Sequence, residues 1–309
     1  MTDEEKLQSF NNENKTEIKI DDKNISIEQK KISDSSLAQL LSINFTKLES
    51  LSLNNLSLEN LVFLKDIHLP SLQKLSLDDN NIKSLDGISA LKSNSLTELS
   101  IQRNKIESID DLSKASFPNL KKLVLTRNNI KSIDLLSKTN FVNLEFIYLE
   151  WNNISSMEGL CLAPFNNLKH FSLNCNAIKN IDCLQKAPFK DIEHLYLVEN
   201  EIENIDVLGK VDFKKLKYLN LNGNKIKSIE VFGNVSFVDL LNLDLEFNKI
   251  SNIDVFENTP FNKLRHLGLR DNLIDKNDET IKAVVEELKK KYDNIDVVIA
   301  QCERGPLSI

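Results

Sequence analysis

Leucine and isoleucine recur along this chain in a fixed order that repeats every 24 residues. The pattern reads L-x-x-L-x-L-x-x-N-x-I, as in residues 120–130, and it begins ten times with no insertion between copies. The copies start at Leu48, Leu72, Leu96, Leu120, Leu144, Leu168, Ile192, Leu216, Leu240 and Leu264. Self-similarity at one period predicts a solenoid, in which every copy is one structural unit stacked on its neighbours.

The letters within each copy predict a strand, a turn and a return segment. Apolar residues at positions 1, 4 and 6 alternate as on the inward side of a short strand. The asparagine at position 9, as in Asn104, Asn128 and Asn224, is expected to bond backbone groups where the chain leaves the strand.

The return segment is equally regular. Ser or Asn at position 13 and Asp or Glu at position 15, as in Ser108 and Asp110, predict a capped helical turn rather than a cation-binding stripe. Phenylalanine recurs three residues before most copies, as in Phe117, Phe213 and Phe237, which predicts a buried aromatic spine rather than a ligand pocket.

The two ends depart from the repeat. Residues 1–20 are polar, and we expect this segment to be disordered. Residues 21–44 are expected to form an N-terminal cap, with short strands followed by a helical turn that has Asp34 as its N-cap. The repeats occupy residues 45–275. Residues 276–309 are predicted to close the solenoid with a helix that follows residues 277–280, a strand over 295–299 and a tail over 304–309. The helix is expected to carry Ile281, Val284, Val285, Leu288 and Tyr292 on one face.

The motif and its period resemble the leucine-rich repeat family over residues 45–275. This resemblance implies an α/β solenoid of horseshoe form. A parallel β-sheet would line the concave face, short helical or 3-10 segments the convex side, and caps the ends. The extended form L-x-x-L-x-L-x-x-N-x-I-x-x-I-D/E-x-L is similar to the subclass typified by the leucine-rich regulatory subunit of protein phosphatase 1. That subclass is intracellular and holds a catalytic subunit with concave aromatic and acidic residues.

Charge and composition exclude several classes of protein. The net charge of −7 argues against a nucleic-acid partner, which normally needs a basic face. The polar N-terminus lacks a secretory signal, and no apolar run is long enough to span a bilayer. The four cysteines, Cys161, Cys175, Cys183 and Cys302, show no paired spacing and are expected to be thiols in a reducing compartment. These features predict a cytoplasmic or nuclear protein without a membrane partner.

The sequence also lacks the motifs of common catalytic centres. It contains no glycine-rich phosphate loop, no G-x-S-x-G, no H-E-x-x-H and no C-x-x-C. We therefore expect a non-enzymatic protein without a cofactor. A metal site at His170 and His194 would lack a clear third ligand, so no metal is expected.

Positions 2, 3, 5, 7 and 8 are not constrained by the repeat and are expected to face the concave side. Aromatic and acidic residues concentrate at these positions in repeats five to nine, which is typical of a protein-binding hot spot. The predicted binding residues are Phe146, Tyr148, Glu150, Trp151, His170, Asn174, His194, Tyr196, Glu199, Tyr218, Asp244, Glu246 and Phe247. The alternative is that cross-strand aromatic pairs merely stabilise the sheet.

A secondary basic patch precedes this surface, with the members Arg103, Lys121, Lys122 and Arg127. It suits an acidic segment of a partner or a phosphate, although solvated lysines are the commoner explanation of such a patch. The leading hypothesis is an intracellular scaffold, monomeric alone, that binds one or more proteins on the concave face of repeats five to nine. The alternative is a regulatory subunit or adaptor of an enzyme, in a protein phosphatase or small GTPase pathway, that acts by occlusion or positioning.

Overall fold

The computed structural model describes residues 1–28, 32–65, 67, 69–91, 93–292 and 294–299. The chain divides into two compact units. Unit 1 comprises Met1–Ile154 and Glu158–Asn167, and unit 2 comprises Ser155–Met157 and Leu168–Ile309.

Unit 1 holds parallel strands that follow one another in chain order. Its helices and strands are α1 (Asp3–Asn14), β1 (Asn24–Glu28), α2 (Asp34–Leu41), β2 (Ser50–Asn54), β3 (Lys74–Ser76), β4 (Glu98–Ser100), β5 (Lys122–Val124), β6 (Phe146–Tyr148) and α3 (Glu158–Cys161). Short 3-10 turns lie on the return side at Val62–Leu64, Ile88–Ala90, Asp110–Lys114 and Asp134–Lys138. Leu75 pairs with Leu99 and Leu99 with Leu123, so each step from strand to strand is one repeat.

Unit 2 has the same construction. Its elements are β7 (His170–Ser172), β8 (His194–Tyr196), β9 (Tyr218–Asn220), β10 (Asn242–Asp244), β11 (His266–Gly268), α4 (Glu279–Lys291) and β12 (Asp296–Val298). The 3-10 turns are Asp182–Lys186, Asp206–Lys210, Glu230–Asn234 and Asp254–Asn258. His194 pairs with Tyr218, and Tyr218 pairs with Asn242. The predicted α/β solenoid, with parallel strands on one side and short helical turns on the other, is confirmed in each unit.

The core of each unit consists of stacked apolar layers. The leucines and isoleucines at positions 1, 4 and 6 are buried, and so are the isoleucines at position 11. The predicted aromatic spine is present, because Phe117 stacks on Phe141 at 6.0 Å in unit 1. In unit 2, Phe213 stacks on Phe189 at 6.1 Å and on Phe237 at 6.4 Å.

The asparagines at position 9 satisfy backbone groups of the preceding repeat. Asn104 Oδ1 accepts from the backbone N–H of Ile82 at 3.0 Å, and its Nδ2 donates to the carbonyl of Leu77 at 2.9 Å. The same bonds recur in both units, which confirms the predicted asparagine ladder. On the return side, Ser108 Oγ accepts from the N–H of Asp110, the first residue of the 3-10 turn, at 3.1 Å. The N-cap residue of this turn is Ile109, whose side chain forms no capping bond, so the serine supports the turn from one position earlier.

The first residues differ from the expected disordered segment, because Asp3–Asn14 form helix α1. Thr2 accepts from the N–H of Glu5 at 3.2 Å, and Glu5 accepts from the N–H of Thr2 at 2.8 Å, which completes a capping box. Leu7 and Phe10 are buried, so the helix has an apolar side. The mainly polar composition of residues 1–20 gave no indication of that side. Folded structure therefore begins before residue 21.

The other cap elements lie close to their predicted places. Helix α2 begins at Asp34, although Ser33 rather than Asp34 is its N-cap. Helix α4 has Asp278 as its N-cap, and strand β12 follows it. The predicted tail at 304–309 lies outside the described residues. No helix among the described residues has the length and apolar character needed to cross a bilayer.

The expectation that all cysteines are thiols is wrong. Cys161 and Cys183 are disulfide-bonded, whereas Cys175 is a thiol, and Cys302 lies outside the described residues. The absence of a short paired spacing is a poor guide in a repeat chain, because residues far apart in the chain lie side by side, as Asn104 and Ile82 do. The cysteines therefore no longer support the predicted cytoplasmic location, which stays a prediction.

Candidate functional site

The strand face of unit 2 presents side chains from positions 3 and 5 of successive repeats. Burial alternates along these strands, so that Leu195 and Leu219 are buried and their neighbours His194, Tyr196 and Tyr218 are half-buried. Parallel pairing then places the position-3 residues of adjacent repeats next to one another. Residues that are 24 positions apart in the chain therefore become a continuous surface.

Four rings form a cluster on this face, which we call the ring cluster: His170, His194, Tyr196 and Tyr218. The His194 and Tyr218 rings are stacked, with 4.7 Å between centroids and 7° between planes. His170 lies 5.3 Å from His194 and 5.2 Å from Tyr196. His194 Nδ1 lies 3.2 Å from the Tyr196 hydroxyl, which fixes both rings further.

The two histidines of the ring cluster are uncharged at neutral pH. Burial, and to a smaller extent the positive charge of a protonated His194, lower the pKa of His170 to about 4. Burial is also the main reason that the pKa of His194 is lowered, with Glu193 opposing that shift. The ring cluster is thus a neutral, half-exposed aromatic surface held in place by three adjacent strands.

The lowered pKa of His170 predicts a loss of stability in mild acid. In the unfolded chain His170 binds a proton as the pH falls below 6.5, its ordinary pKa. In the folded chain it binds that proton only near pH 4. The free energy of unfolding should therefore fall as the pH falls through that window. Because the ring is partly solvated, we expect a contribution of about 1–2 kcal/mol rather than the full conversion of the shift. Urea midpoints at about pH 7 and about pH 4.5 measure the fall, and His170→Gln should reduce it. An equal fall in both proteins would contradict this assignment.

An acidic group adjoins the ring cluster on the next strands. Asp244 Oδ2 accepts from Asn220 Nδ2 at 3.1 Å, and Glu246 pairs with Arg270 at 2.9 Å. Burial raises the pKa of Glu246, the charge of Asp244 raises it further, and Arg270 opposes both. Arg270 also lies over the Phe247 ring, 5.4 Å from its centroid.

Asn174, one of the predicted binding residues, also supports the backbone of the next repeat. Its Oδ1 accepts from the N–H of Val198, the equivalent position of the next repeat, at 2.8 Å. Asn54 does the same for Asp78 in unit 1, also at 2.8 Å. An amide at position 7 therefore has a structural use that the sequence pattern did not indicate.

Position 8 lies at the corner where each strand ends rather than on the strand face itself. Its residues have left-handed backbone conformations, with φ between 51° and 58° at Arg103, Arg127, Trp151, Cys175, Glu199 and Phe247. Only glycine adopts this conformation without steric cost, and Gly223 does so in the eighth repeat. The place of these side chains on the concave face stays a prediction.

The predicted residues of the fifth repeat belong to unit 1. Phe146 and Tyr148 lie on β6, and burial raises the pKa of the Tyr148 hydroxyl. Glu150 accepts from Thr126 Oγ1 at 2.6 Å. Trp151 is 40% exposed and lies under the Arg127 guanidinium, 5.0 Å from the ring centroid. That the predicted residues of repeats five to nine form one continuous binding surface stays a prediction.

Most side chains of the basic patch form ion pairs with acidic neighbours. Lys121 pairs with Glu145 at 3.6 Å. Lys122 pairs with Glu98 at 2.7 Å, and Arg103 with Asp79 at 3.4 Å. These residues belong to unit 1 and carry less uncompensated positive charge than their sequence suggested.

Gly268 interrupts the series of side chains on the strand face of unit 2. It occupies position 5 of the tenth repeat, where the three preceding repeats have Tyr196, Asn220 and Asp244. A lone glycine within a strand often marks the close approach of another group. That signal was available in the sequence, but it does not identify which group approaches.

The sequence raised a metal site at His170 and His194, for which a third ligand was not clear. Among the residues that the structure describes, no group of three or more His, Cys, Asp or Glu side chains is arranged to hold a metal ion. His170 and His194 instead take part in ring contacts.

Comparisons with known proteins identify the repeat. A family model described as "Leucine rich repeat" matches residues 94–154, and a model for two copies of leucine rich repeats matches residues 70–114 and 190–234. A search of curated proteins found no match.

Solved structures of low identity share the fold. An internalin (inlF) from Listeria monocytogenes is 20% identical, with a TM-score of 0.65 and coverage of 93% of this chain and 84% of that one. The ectodomain of the Arabidopsis thaliana receptor kinase GASSHO1/SCHENGEN3, in complex with CASPARIAN STRIP INTEGRITY FACTOR 2, is 20% identical, with a TM-score of 0.58 and coverage of 81% and 33%. TLR13 in its complex with ssRNA13 is 24% identical, with a TM-score of 0.60 and coverage of 77% and 38%.

Proposed function

Because the chain is a leucine-rich repeat protein, we propose that it is a non-enzymatic scaffold that binds a partner protein on the strand face of unit 2. Proteins of this kind generally act as interaction modules. The GASSHO1/SCHENGEN3 ectodomain, for example, was solved in complex with CASPARIAN STRIP INTEGRITY FACTOR 2.

The observation that carries the proposal is the ring cluster. Its four rings contact one another, stay half-exposed, and include two histidines that are uncharged at neutral pH. Aromatic side chains supply much of the binding energy at protein interfaces. Because pairing of adjacent strands fixes these rings before any partner arrives, little conformational entropy is lost on binding.

A displayed library of random peptides, selected on the full chain, tests this proposal. The double variant His194→Ala, Tyr218→Ala should bind the selected peptides about 30-fold more weakly, which corresponds to about 2 kcal/mol at a hot spot. Leu273→Ala is the control, because this side chain is 67% exposed and lies outside the ring cluster. The urea midpoint of each variant checks that the fold is intact.

The outcomes separate binding from a role in sheet stability alone. If the rings serve only as cross-strand pairs, the double variant should lose stability while its folded form retains affinity for the peptides. Equal peptide binding by the double variant and the control would overturn the proposed function. Trp151→Ala tests separately the predicted contribution of Trp151, which lies in unit 1 together with Phe146, Tyr148 and Glu150.

A more specific version of this proposal is that the bound partner is an enzyme and that binding regulates it. A regulatory subunit or adaptor would change the catalytic rate of its partner, whereas a scaffold that only tethers would not. The resemblance to the phosphatase regulator stays a prediction from the sequence. Once a partner is identified, its catalytic rate with and without saturating protein distinguishes the two forms.

A further inference from the structure

A groove crosses strands β2–β6 on the strand face of unit 1. It encloses about 560 Å³, a volume typical of pockets that hold small molecules. The groove exists because position 5 carries the small side chains Ser76, Ser100 and Val124 in three successive repeats. The next repeat has Tyr148 at this position, so an aromatic ring ends the channel.

The floor of the groove offers hydrogen-bond acceptors. Three of its hydroxyl groups donate their protons to side chains at position 7: Ser76 to Asn54 at 2.8 Å, Ser100 to Asp78 at 2.7 Å, and Thr126 to Glu150 at 2.6 Å. Because each proton is directed to a neighbouring side chain, the hydroxyl oxygens are left with lone pairs that can accept. A ligand on this floor must therefore donate.

One wall of the groove supplies donors instead. Lys74 and Lys122 flank Glu98 at position 3, with their Nζ atoms 3.7 Å and 2.7 Å from its two carboxylate oxygens. An ammonium group has three N–H donors, so each lysine retains donors for a ligand. Among the residues that line the groove, these two lysines balance Glu98 and Asp78, and the lining carries no net charge.

This arrangement selects a ligand that both donates and accepts hydrogen bonds. An ionised phosphate or sulfate accepts only, and it would meet the lone pairs of the floor. An amine donates only, and it would meet the lysines of the wall. A hydroxyl group does both, so a neutral molecule with many hydroxyl groups fits the groove better than either ion.

The spacing of the strands favours a sugar chain over an extended peptide. Equivalent side chains of the groove recur from strand to strand, about 4.8 Å apart. Side chains on one face of an extended peptide recur about every 6.8 Å, because they alternate between two faces. The pyranose units of an equatorially linked glycan recur at close to the strand spacing, so each ring can occupy one strand.

We propose that the groove of unit 1 binds a neutral oligosaccharide whose rings lie across successive strands. The oxygens of Ser76 and Thr126 accept from sugar hydroxyls, and the lysines of the wall donate to sugar oxygens. The apolar face of a terminal pyranose packs on the ring of Tyr148. The site uses residues of unit 1 alone, so it goes beyond the proposed protein partner and does not depend on it.

An array of neutral oligosaccharides, probed with the full chain, tests the proposal. The array carries cello-, xylo-, manno- and chito-oligosaccharides together with their monosaccharides. At least one series should bind, and its longer members should bind more tightly than the monosaccharide, because successive rings occupy successive strands. Titration calorimetry with the tightest array sugar then gives the dissociation constant of each variant.

Val124→Tyr fills the groove with a side chain that the fold already accepts at position 5, where Tyr148 and Tyr196 lie in other repeats. It should weaken sugar binding at least about tenfold. Asn129→Tyr is the matched control, because Asn129 is exposed and does not line the groove. The control should bind as the wild type, and urea midpoints check that both variants are folded.

Thr126→Val is the second variant, because it keeps the shape of the side chain and removes one acceptor of the floor. It should weaken sugar binding about fivefold, the loss that one hydrogen bond brings. Its control is Thr97→Val, since Thr97 does not line the groove. This pair tests the floor even if Val124→Tyr does not fold.

The proposal is overturned if no array sugar binds, or if the folded groove variants bind sugar as tightly as the wild type. Tighter binding of sulfated or phosphorylated glycans than of neutral ones would also overturn it. So would an empty array combined with selected peptides that lose affinity through Val124→Tyr, because the groove would then be a peptide site. The ring variant His194→Ala, Tyr218→Ala should keep its sugar affinity, so the outcome here is separate from that of the proposed function.

Discussion

Replacing Asn224 by leucine should lower the free energy of unfolding by about 3–5 kcal/mol, because it leaves buried backbone groups without partners. Asn224 Oδ1 accepts from the N–H of Ile202 at 3.0 Å. Its Nδ2 donates to the carbonyls of Leu197 at 2.9 Å and Leu221 at 3.0 Å. Leucine has a similar volume but restores none of these bonds.

The large effect follows from the place of Asn224 in the repeat. The residue is 7% exposed, and water cannot readily take over bonds to Ile202 and Leu197 in the interior. Each unsatisfied backbone group costs about 1–3 kcal/mol, and these two belong to the preceding repeat. The substitution therefore weakens the contact between neighbouring repeats as well as its own turn.

Urea unfolding followed by far-ultraviolet circular dichroism measures the effect. Asn262→Leu is the matched control, because Asn262 is exposed and the same change there should stay within about 0.5 kcal/mol. A loss below about 1 kcal/mol for Asn224→Leu would show that the asparagine ladder contributes little.

Replacing Phe213 by alanine should cost about 3–5 kcal/mol, because the ring is fully buried in the aromatic spine. Phe213 contacts Phe189 at 6.1 Å on one side and Phe237 at 6.4 Å on the other. Alanine would remove both contacts and leave a cavity between repeats that the rigid strands cannot close.

A graded series distinguishes the cavity from loss of a ring contact. Phe213→Leu should destabilise the protein much less than Phe213→Ala, since leucine fills most of the space. Val238→Ala is the control, because Val238 is 38% exposed. Similar urea midpoints for Phe213→Ala and Val238→Ala would contradict a structural role for the spine.

Sequence predicted the parts of the fold that recur. Buried leucines, ladder asparagines and spine phenylalanines appear at fixed positions because every repeat has the same backbone groups to satisfy and the same neighbours to contact. The ends of the chain lack this redundancy. Helix α1 was missed because a capping box at Thr2 and two buried residues, Leu7 and Phe10, are weak signals in a polar segment.

The candidate site was predicted in part. Sequence indicated that His194, Tyr196 and Tyr218 occupy unconstrained positions, and the structure places them in one cluster. It did not indicate that Asn174 bonds the backbone of Val198 or that the side chain of Asp244 lies close to the backbone of Gly268. Those roles depend on contacts with residues of the neighbouring repeat, and the type of a residue does not indicate which contacts it makes.

By itself the sequence determined the register of this protein. A 24-residue period with alternating apolar positions leaves one way to bury the leucines, so Leu195 pairs with Leu219 and the next copy follows. Only the tertiary structure decided which side chains at the variable positions contact one another and how deeply they are buried. Burial beside His194 sets the pKa of His170, and the disulfide bonding of Cys161 and Cys183 has no counterpart in their spacing. The reason is physical: desolvation and contact depend on neighbours brought together by strand pairing, and those neighbours are distant in the chain.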